Sequence, residues 1–282
     1  MTATFFLSAF GDEISPDLDE QLTTLTDLKI RGLDLRGALG KNVADLEDAE
    51  AAQVKAICAN YGVQVACLGS PVGKSALEEP IEFEQRRLER LISIGKIVNT
   101  RRVRIFSFYP PDTSTNQHYD QYVPEVVERL GLLARRAEQE GFLLLLENEK
   151  GIVTDTPERS LAVLQGVNSP ALRFAWDPAN FIQVGVAQPV DRGWAGLQPY
   201  VNYVHIKDAL LEDGKVTPAG EGDGQLAKLL TRLKAMDYQG VLSLEPHLQI
   251  AGHSGGFSGS EGMRVAAQAL RKLMQQAGCQ EI

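Results

Sequence analysis

The chain has 282 residues, 44% of them hydrophobic and 23% charged, with a net charge of −9; these are proportions of a globular chain with room for a large core. The acidic balance, with a pI near 5.1, argues against a nucleic-acid partner, which usually requires a basic face. Cys58, Cys67 and Cys279 fall in no CxxC spacing, which argues against a disulfide framework, and no apolar run approaches the length of a membrane span.

Thr4–Phe10 is apolar and β-prone and predicts the first strand, ending at Gly11-Asp12-Glu13. Ser15-Pro16-Asp17 opens a helix in which Leu18, Leu22, Leu25 and Leu28 keep helical spacing. Gly32–Arg36 is a short second strand with an arginine at its end. Asp48 to Tyr61 is helical and stops at Gly62. Val63–Leu68 is the third strand, followed by the glycine-rich loop Gly69-Ser70-Pro71-Val72-Gly73-Lys74. Pro80 to Asn99 is a long helix with mutually supporting Glu and Arg, and Val103–Phe106 the fourth strand. Tyr122 to Gln139 is the next helix. Then come four units whose strands each end in a potential ligand: Leu143–Glu147, Phe174–Asp177, Val201–His205 and Val241–Glu245. Helices are expected from Asp155-Thr156-Pro157 to about Leu164, from Pro189 to Leu197, from Gln225 to Met236 and from Ser260 to Gln276. A loop rich in glycine and serine, Gly252 to Gly259, precedes the last of these.

Strand alternating with helix predicts a parallel sheet. Eight units over residues 1–282 predict an α/β fold with a single (β/α)8 TIM barrel as the only domain. An open doubly wound sheet is the alternative, disfavoured because no Gly-x-Gly-x-x-Gly turn follows the first strand. With no basic segment ahead of an apolar stretch at the N-terminus, no signal peptide is expected, and a reducing cytoplasm is the expected location.

Runs such as Leu143–Leu146 read as strands buried on both faces. In a barrel their C-terminal ends converge on one mouth, where such folds place their chemistry. Glu147, Asp177, His205 and Glu245 would then face one another. Three carboxylates that close repel strongly, and a divalent cation removes that cost. The oxygen-rich set suits one divalent ion, Mn²⁺ first, with Mg²⁺, Co²⁺ or Zn²⁺ as alternatives. The competing reading is a salt-bridged rim involving Lys150, Lys207 and Arg173.

Five short motifs carry a resemblance: Leu146-Glu147-Asn148-Glu149-Lys150-Gly151, Trp176-Asp177-Pro178-Ala179-Asn180, Val204-His205-Ile206-Lys207-Asp208, Gly220-Glu221-Gly222-Asp223 and Leu244-Glu245-Pro246-His247. In this order the chain resembles the sugar phosphate isomerase/epimerase family, the xylose-isomerase-like barrels. The resemblance implies that Glu147, Asp177, His205 and Glu245 bind one divalent metal, and that Glu147 and Glu245 are the catalytic acid/base pair. It implies a small-molecule sugar substrate and isomerisation or epimerisation through an enediolate; a lyase or dehydratase acting on a keto-sugar or keto-inositol is the alternative. In the family's ketohexose epimerases a histidine stands three positions after the metal-binding aspartate. Asn180 stands there in this chain and cannot shuttle a proton near neutrality, which keeps elimination beside epimerisation. The histidine set of endonuclease IV, a distant relative, is missing: the chain has only His118, His205, His247 and His253.

Arg36, Glu149, Asn180, Lys207, Glu221 and His247 are the candidate substrate contacts. Arg36 could grip a polar group bidentately. Lys207 could hold an oxyanion or pair with Asp208, and Glu221 could orient Lys207 or a ligand. Trp176 and Phe181 could wall a sugar pocket, although core packing is the commoner fate. The Ser70–Lys74 loop lacks phosphate-loop spacing and reads as a substrate loop of unassigned purpose. A non-catalytic sugar-binding protein and a metal-dependent nuclease are the readings from other classes. A homo-oligomer is compatible with the sequence, but no residue marks an interface.

Overall fold

The computed structural model describes residues 3–248 and 258–282. His253 and residues 252–257 of the predicted final loop lie outside these. Eight parallel strands close on themselves: β1 Thr4–Phe10, β2 Gly32–Leu35, β3 Gln64–Gly69, β4 Arg102–Ile105, β5 Leu143–Glu147, β6 Leu172–Trp176, β7 Val201–Ile206 and β8 Val241–Leu244. Each pairs with the next, and β8 returns to β1 with Phe6 opposite Val241 and Ala9 opposite Leu244. The expected TIM barrel is therefore the observed architecture.

The helices that cover it are α1 Leu18–Asp27, α2 Asp48–Asn60, α3 Ile81–Val98, α4 Val123–Gln139, α5 Pro157–Val167, α6 Pro178–Gln183, α7 Pro189–Leu197, α8 Leu226–Ala235 and α9 Gly259–Ala277. Their starts follow from local chemistry. Asp17 caps α1 by accepting from the Glu20 amide, and Thr156 caps α5 ahead of a first-turn proline. Asn99 ends α3 in the left-handed conformation at φ 64.

Three features depart from the expected outline. Helix α6 lies where only a loop was expected. A strand at Gln280–Glu281 adds in parallel to Thr4 and Phe5 at the barrel's N-terminal end. Two small hairpins, Gly37–Ala38 with Lys41–Asn42 and Asp208–Ala209 with Val216–Thr217, decorate the mouth. These pieces are too short for a periodic signal.

Alternation along each strand sorts the core into two parts. Leu144, Leu146, Phe174, Val204 and Leu242 face the helices within the main apolar cluster. Cys67, Leu145, Ala175, Tyr203 and Val241 face the barrel axis in a second cluster. Cys58 and Cys67 are both buried free thiols, as a core role requires. Trp176 and Phe181 are fully buried against each other, with ring centroids 5.4 Å apart. They pack the core and do not line the mouth.

The axis also holds a buried carboxylate, Asp34, which accepts hydrogen bonds from the hydroxyls of Ser8, Tyr203 and Ser243. Burial, partly offset by these donors and by His205, raises its pKa above the ordinary 3.8. The folded chain then holds this proton more tightly than the unfolded chain. Its stabilising contribution is complete below the unfolded value and is lost as pH rises through the folded one. Asp34→Asn, which cannot ionise, is expected to gain stability relative to the wild type between pH 4 and pH 7. Urea midpoints at the two pH values check this; an unchanged difference contradicts it.

Candidate metal centre

Because side chains alternate, the residue two beyond an axis-facing position also faces the axis. Glu147 follows Leu145, Asp177 follows Ala175, His205 follows Tyr203, and Glu245 follows Ser243. Four strands thus deliver four ligand-type groups at one level at their C-terminal ends, Glu147 and His205 within the strands and Asp177 and Glu245 one residue beyond them. One ligand atom from each lies within 4.8 Å of the others, and all four residues are buried.

The cluster is held by local devices. Asp177 caps α6: its Oδ1 accepts from the Asn180 amide at 2.9 Å, and Pro178 supplies the first turn. That commits one oxygen to the helix and leaves Oδ2 for the cluster. Asn148 continues the strand pairing through its side chain, donating to the Asp177 carbonyl at 2.8 Å and accepting from the Asp177 amide at 2.9 Å. Asn180 Nδ2 donates to the Asn148 carbonyl at 2.9 Å and to Glu147 Oε1 at 3.3 Å. Asp208 accepts from the amides of Ala209, Gly220, Gly222 and Gly224 at 2.9–3.2 Å. A Cβ at Gly222 would lie 2.5 Å from its carboxylate, so the glycines of that motif serve a close approach of backbone to Asp208.

The electrostatics follow the packing. His205 Nδ1 lies 3.0 Å from Glu147 Oε1 and 3.7 Å from Glu245 Oε2. Arg104 reaches Glu147 Oε2 at 3.0 Å. Lys207 Nζ lies 2.8 Å from Asp177 Oδ2 and 3.4 Å from Glu245 Oε2. Burial works to raise Glu147, but His205 and Arg104 outweigh it and hold the carboxyl at about 2. Burial likewise opposes ionisation of Glu245, yet Lys207, His247 and Arg36 take it well below the usual range. Asp177 is pushed up to about 6 by burial, with Lys207 opposing and Glu147 and Glu245 reinforcing. Burial favours neutral His205, but the three carboxylates raise it overall.

The donor set fits a hard divalent cation. A further sign is Asp177 Oδ2, a buried oxygen that receives no hydrogen bond. Lys207 is close to it as a charge, but off the hydrogen-bonding direction.

Above the cluster lies a cavity of about 450 Å³ whose walls include Arg36, Glu149, Asn180, Lys207, Glu245 and His247. Five of the six expected substrate contacts are therefore brought together. Glu221 is not: it is exposed and lines a neighbouring hollow with Lys215 and Val265. Arg36 is also turned differently from a free substrate clamp. Its three nitrogens meet Asp12 at 2.7 Å, Glu13 at 2.9 Å and Glu245 at 2.7 Å. Lys207 pairs with Asp177 and Glu245, not with Asp208. Of the cations considered for a salt-bridged rim, Arg173 is tied to the Ser169 and Leu172 carbonyls at the strand's beginning, and Lys150 sits 3.5 Å from the Gln183 amide oxygen. A larger hollow of about 710 Å³ opens at the opposite end of the barrel, walled by Phe6, Val65, Leu143 and Val241. None of the cluster residues lines it, so size alone does not locate the chemistry.

Sequence reasoning missed Arg104, Glu13 and Asn148. Arg104 had a signal, since a charge between Val103 and Ile105 in a buried strand must have an interior partner. Glu13 is fully buried and accepts from Arg36, the His247 amide and the Ser258 hydroxyl; no local pattern announces that.

Residues 25–276 match the model of the xylose isomerase-like TIM barrel family, and the chain belongs to that family. A 3-dehydroshikimate dehydratase from Bacillus anthracis is 26% identical over 129 residues, a match covering 45% of this chain and 44% of that protein; it thus spans less than half of the curated relative's length. A crystal structure of a D-tagatose 3-epimerase-like protein superposes with a TM-score of 0.73 at 16% identity, covering 98% of each chain. A probable 3-DHS dehydratase from Bacillus anthracis superposes with a TM-score of 0.72 at 17% identity, covering 95% of this chain and 98% of the other. Structural likeness at such identities establishes the fold. No helix among the described residues is long and apolar enough to cross a membrane.

Proposed function

We propose that the chain is a divalent-metal-dependent isomerase or epimerase of a small sugar or sugar derivative, acting by removal of a proton next to a carbonyl. The observation that carries this is the convergence of Glu147, Asp177, His205 and Glu245, with ligand atoms within 4.8 Å, beneath a polar cavity at the catalytic end of the barrel. Those four residues would hold the metal. Once bound, it would supply a Lewis acid that polarises a carbonyl oxygen. Manganese suits the oxygen-rich set, with magnesium, cobalt or zinc as alternatives.

Glu147 and Glu245 are both held ionised, the state a proton acceptor needs. If they flank opposite faces of a planar substrate carbon, one removes a proton and the other returns one, and the centre inverts. If one of them moves the proton between neighbouring carbons, aldose and ketose interconvert. Asn180, which donates to Glu147, would orient it and a substrate hydroxyl, and Lys207 would meet a developing oxyanion. Glu149 and His247 would contact the substrate from the cavity wall.

Asn180 supports a second reading. It stands where the ketohexose epimerases have a histidine, and the partial match to a dehydratase points the same way. A leaving group β to the abstracted proton would turn the same machinery into a lyase or dehydratase.

Elemental analysis of the wild type beside His205→Ala tests the metal: about one equivalent is expected in the wild type after loading, reduced at least tenfold in the variant. Loaded protein with ketoses in D₂O then reports exchange at carbon. No metal in either protein after loading refutes the reading.

A further inference from the structure

Resting on the mouth as the substrate site, we propose that the cavity takes a substrate bearing a carboxylate, held by Lys74 and Arg104, in preference to a neutral sugar or a sugar phosphate. Small-molecule pockets are usually lined by apolar and aromatic side chains. This one has only Pro71 and Val216 as apolar wall residues and no Phe, Tyr or Trp among the described residues. It contains five permanent cations: Arg36, Lys74, Arg104, Lys150 and Lys207.

The charges at the mouth are nearly matched. Asp12, Glu13, Glu147, Glu149, Asp177 and Glu245 face those five cations. With one divalent ion bound, these eleven side chains and the ion would together carry one positive charge in excess. A monoanion balances that; a neutral ligand leaves it uncompensated, and a phosphate dianion overshoots.

Two donors are poised for the anion. Arg104 spends Nη1 on Glu147 and Nη2 on the Ser70 carbonyl at 3.3 Å, while its Nε is buried with no partner. Lys74 comes from the glycine-rich loop after β3, whose purpose the motif alone left open. That loop is stitched to the end of β4. The Ser70 hydroxyl donates to the Arg104 carbonyl, the Phe106 amide to the Val72 carbonyl, and the Phe108 amide to the Gly73 carbonyl. Gly73 sits at φ +80, where a Cβ would lie 2.1 Å from the Phe106 carbonyl. The contact excludes any larger residue and fixes the loop. The result is that Lys74 Nζ and the Arg104 guanidinium both rest on the buried Phe106 ring, 4.2 and 4.5 Å from its centroid. Among the described residues Lys74 pairs with one carboxylate, Glu149 at 3.3 Å, and Lys150 stands beside an amide. A carboxylate here would receive charge-assisted hydrogen bonds from a preorganised pair.

The test is calorimetric titration of the manganese-loaded protein with D-glucuronate, D-glucose and glucose 6-phosphate at equal ionic strength. The same titrations are run on Lys74→Gln and Lys74→Arg. Glucuronate is expected to bind at least tenfold more tightly than glucose or the phosphate ester. Lys74→Gln should lose about tenfold in glucuronate affinity with glucose unchanged, and Lys74→Arg should retain most of it. Equal or weaker binding of glucuronate, tightest binding of the phosphate ester, or an equal effect of Lys74→Gln on acid and neutral ligand each overturns the proposal. Metal content is measured on the same samples. Full metal with ketose exchange but no preference for acids removes only this inference, whereas absence of metal removes the functional reading beneath it.

Discussion

Glu245→Gln and Glu147→Gln are each expected to slow exchange of the substrate's carbon-bound proton with solvent by about 10³-fold or more. General acid–base groups contribute on the order of 10²–10⁴, and each glutamate would also be one of the four metal ligands. Glutamine keeps size and an oxygen donor but removes both the charge and the site for a proton. The two variants should differ in what else they lose. Glu147 is braced by Asn180, Arg104 and His205, so Glu147→Gln leaves Arg104 buried without its carboxylate. Glu245 is shared among Lys207, His247 and Arg36, which have other partners, so Glu245→Gln should fold closer to normally. Single-turnover exchange in D₂O, read beside metal content and a denaturation curve, separates these effects. If either variant keeps full metal and exchanges within tenfold of the wild type, that glutamate is not a proton carrier.

The second large effect is expected at Arg36, and it is one of stability as well as geometry. Arg36 joins Asp12, Glu13 and Glu245 through three nitrogens, with Glu13 fully buried beneath it. Its guanidinium also lies 4.8 Å from the Phe10 ring centroid, and Gly69 leaves room for both, since a Cβ there would stand 2.8–2.9 Å from Phe10 and Arg36. Removing one partner of a buried ion pair costs about 3–5 kcal/mol, because the remaining charge has no compensation. Arg36→Met should therefore unfold at markedly lower denaturant, and Glu13→Gln in the same chain should restore part of the loss by removing one stranded charge. Glu245 would lose the contact that fixes its Oε1, so exchange activity should also fall. Urea denaturation of the single and double variants checks this; an Arg36→Met midpoint equal to that of the wild type contradicts it. The same contacts make Arg36 a residue that positions Glu245 more than one that grips substrate.

The elements that could be read from the sequence are those with a period. Leu143–Glu147 announced a buried strand because four leucines in a row have no exposed face, and α1 announced itself by Leu18, Leu22, Leu25 and Leu28 at helical spacing. Helix α6 escaped because six residues carry no period. Its signal was the dipeptide Asp177-Pro178, a cap followed by a first-turn proline, masked by reading Asp177 only as a potential ligand. The residue does both, with one oxygen for each. Glu221 was drawn toward the site by its place in a glycine motif. The structure shows that motif wrapping Asp208, with Glu221 pointing away from the cavity.

What the sequence determined by itself was the barrel and the four residues that meet at its mouth. Alternation in each strand fixes which side chains face the axis, and closure of eight strands makes those at equal height neighbours. What only the tertiary structure decided was how the surrounding charges pair. Arg36 reaches Glu245 across 209 positions of chain, Arg104 reaches Glu147, and Lys74 arrives on a loop packed against a different strand. Such pairings depend on the stagger between strands and on which carboxylate the remaining neighbours leave open, and neither quantity is encoded in any single stretch of residues.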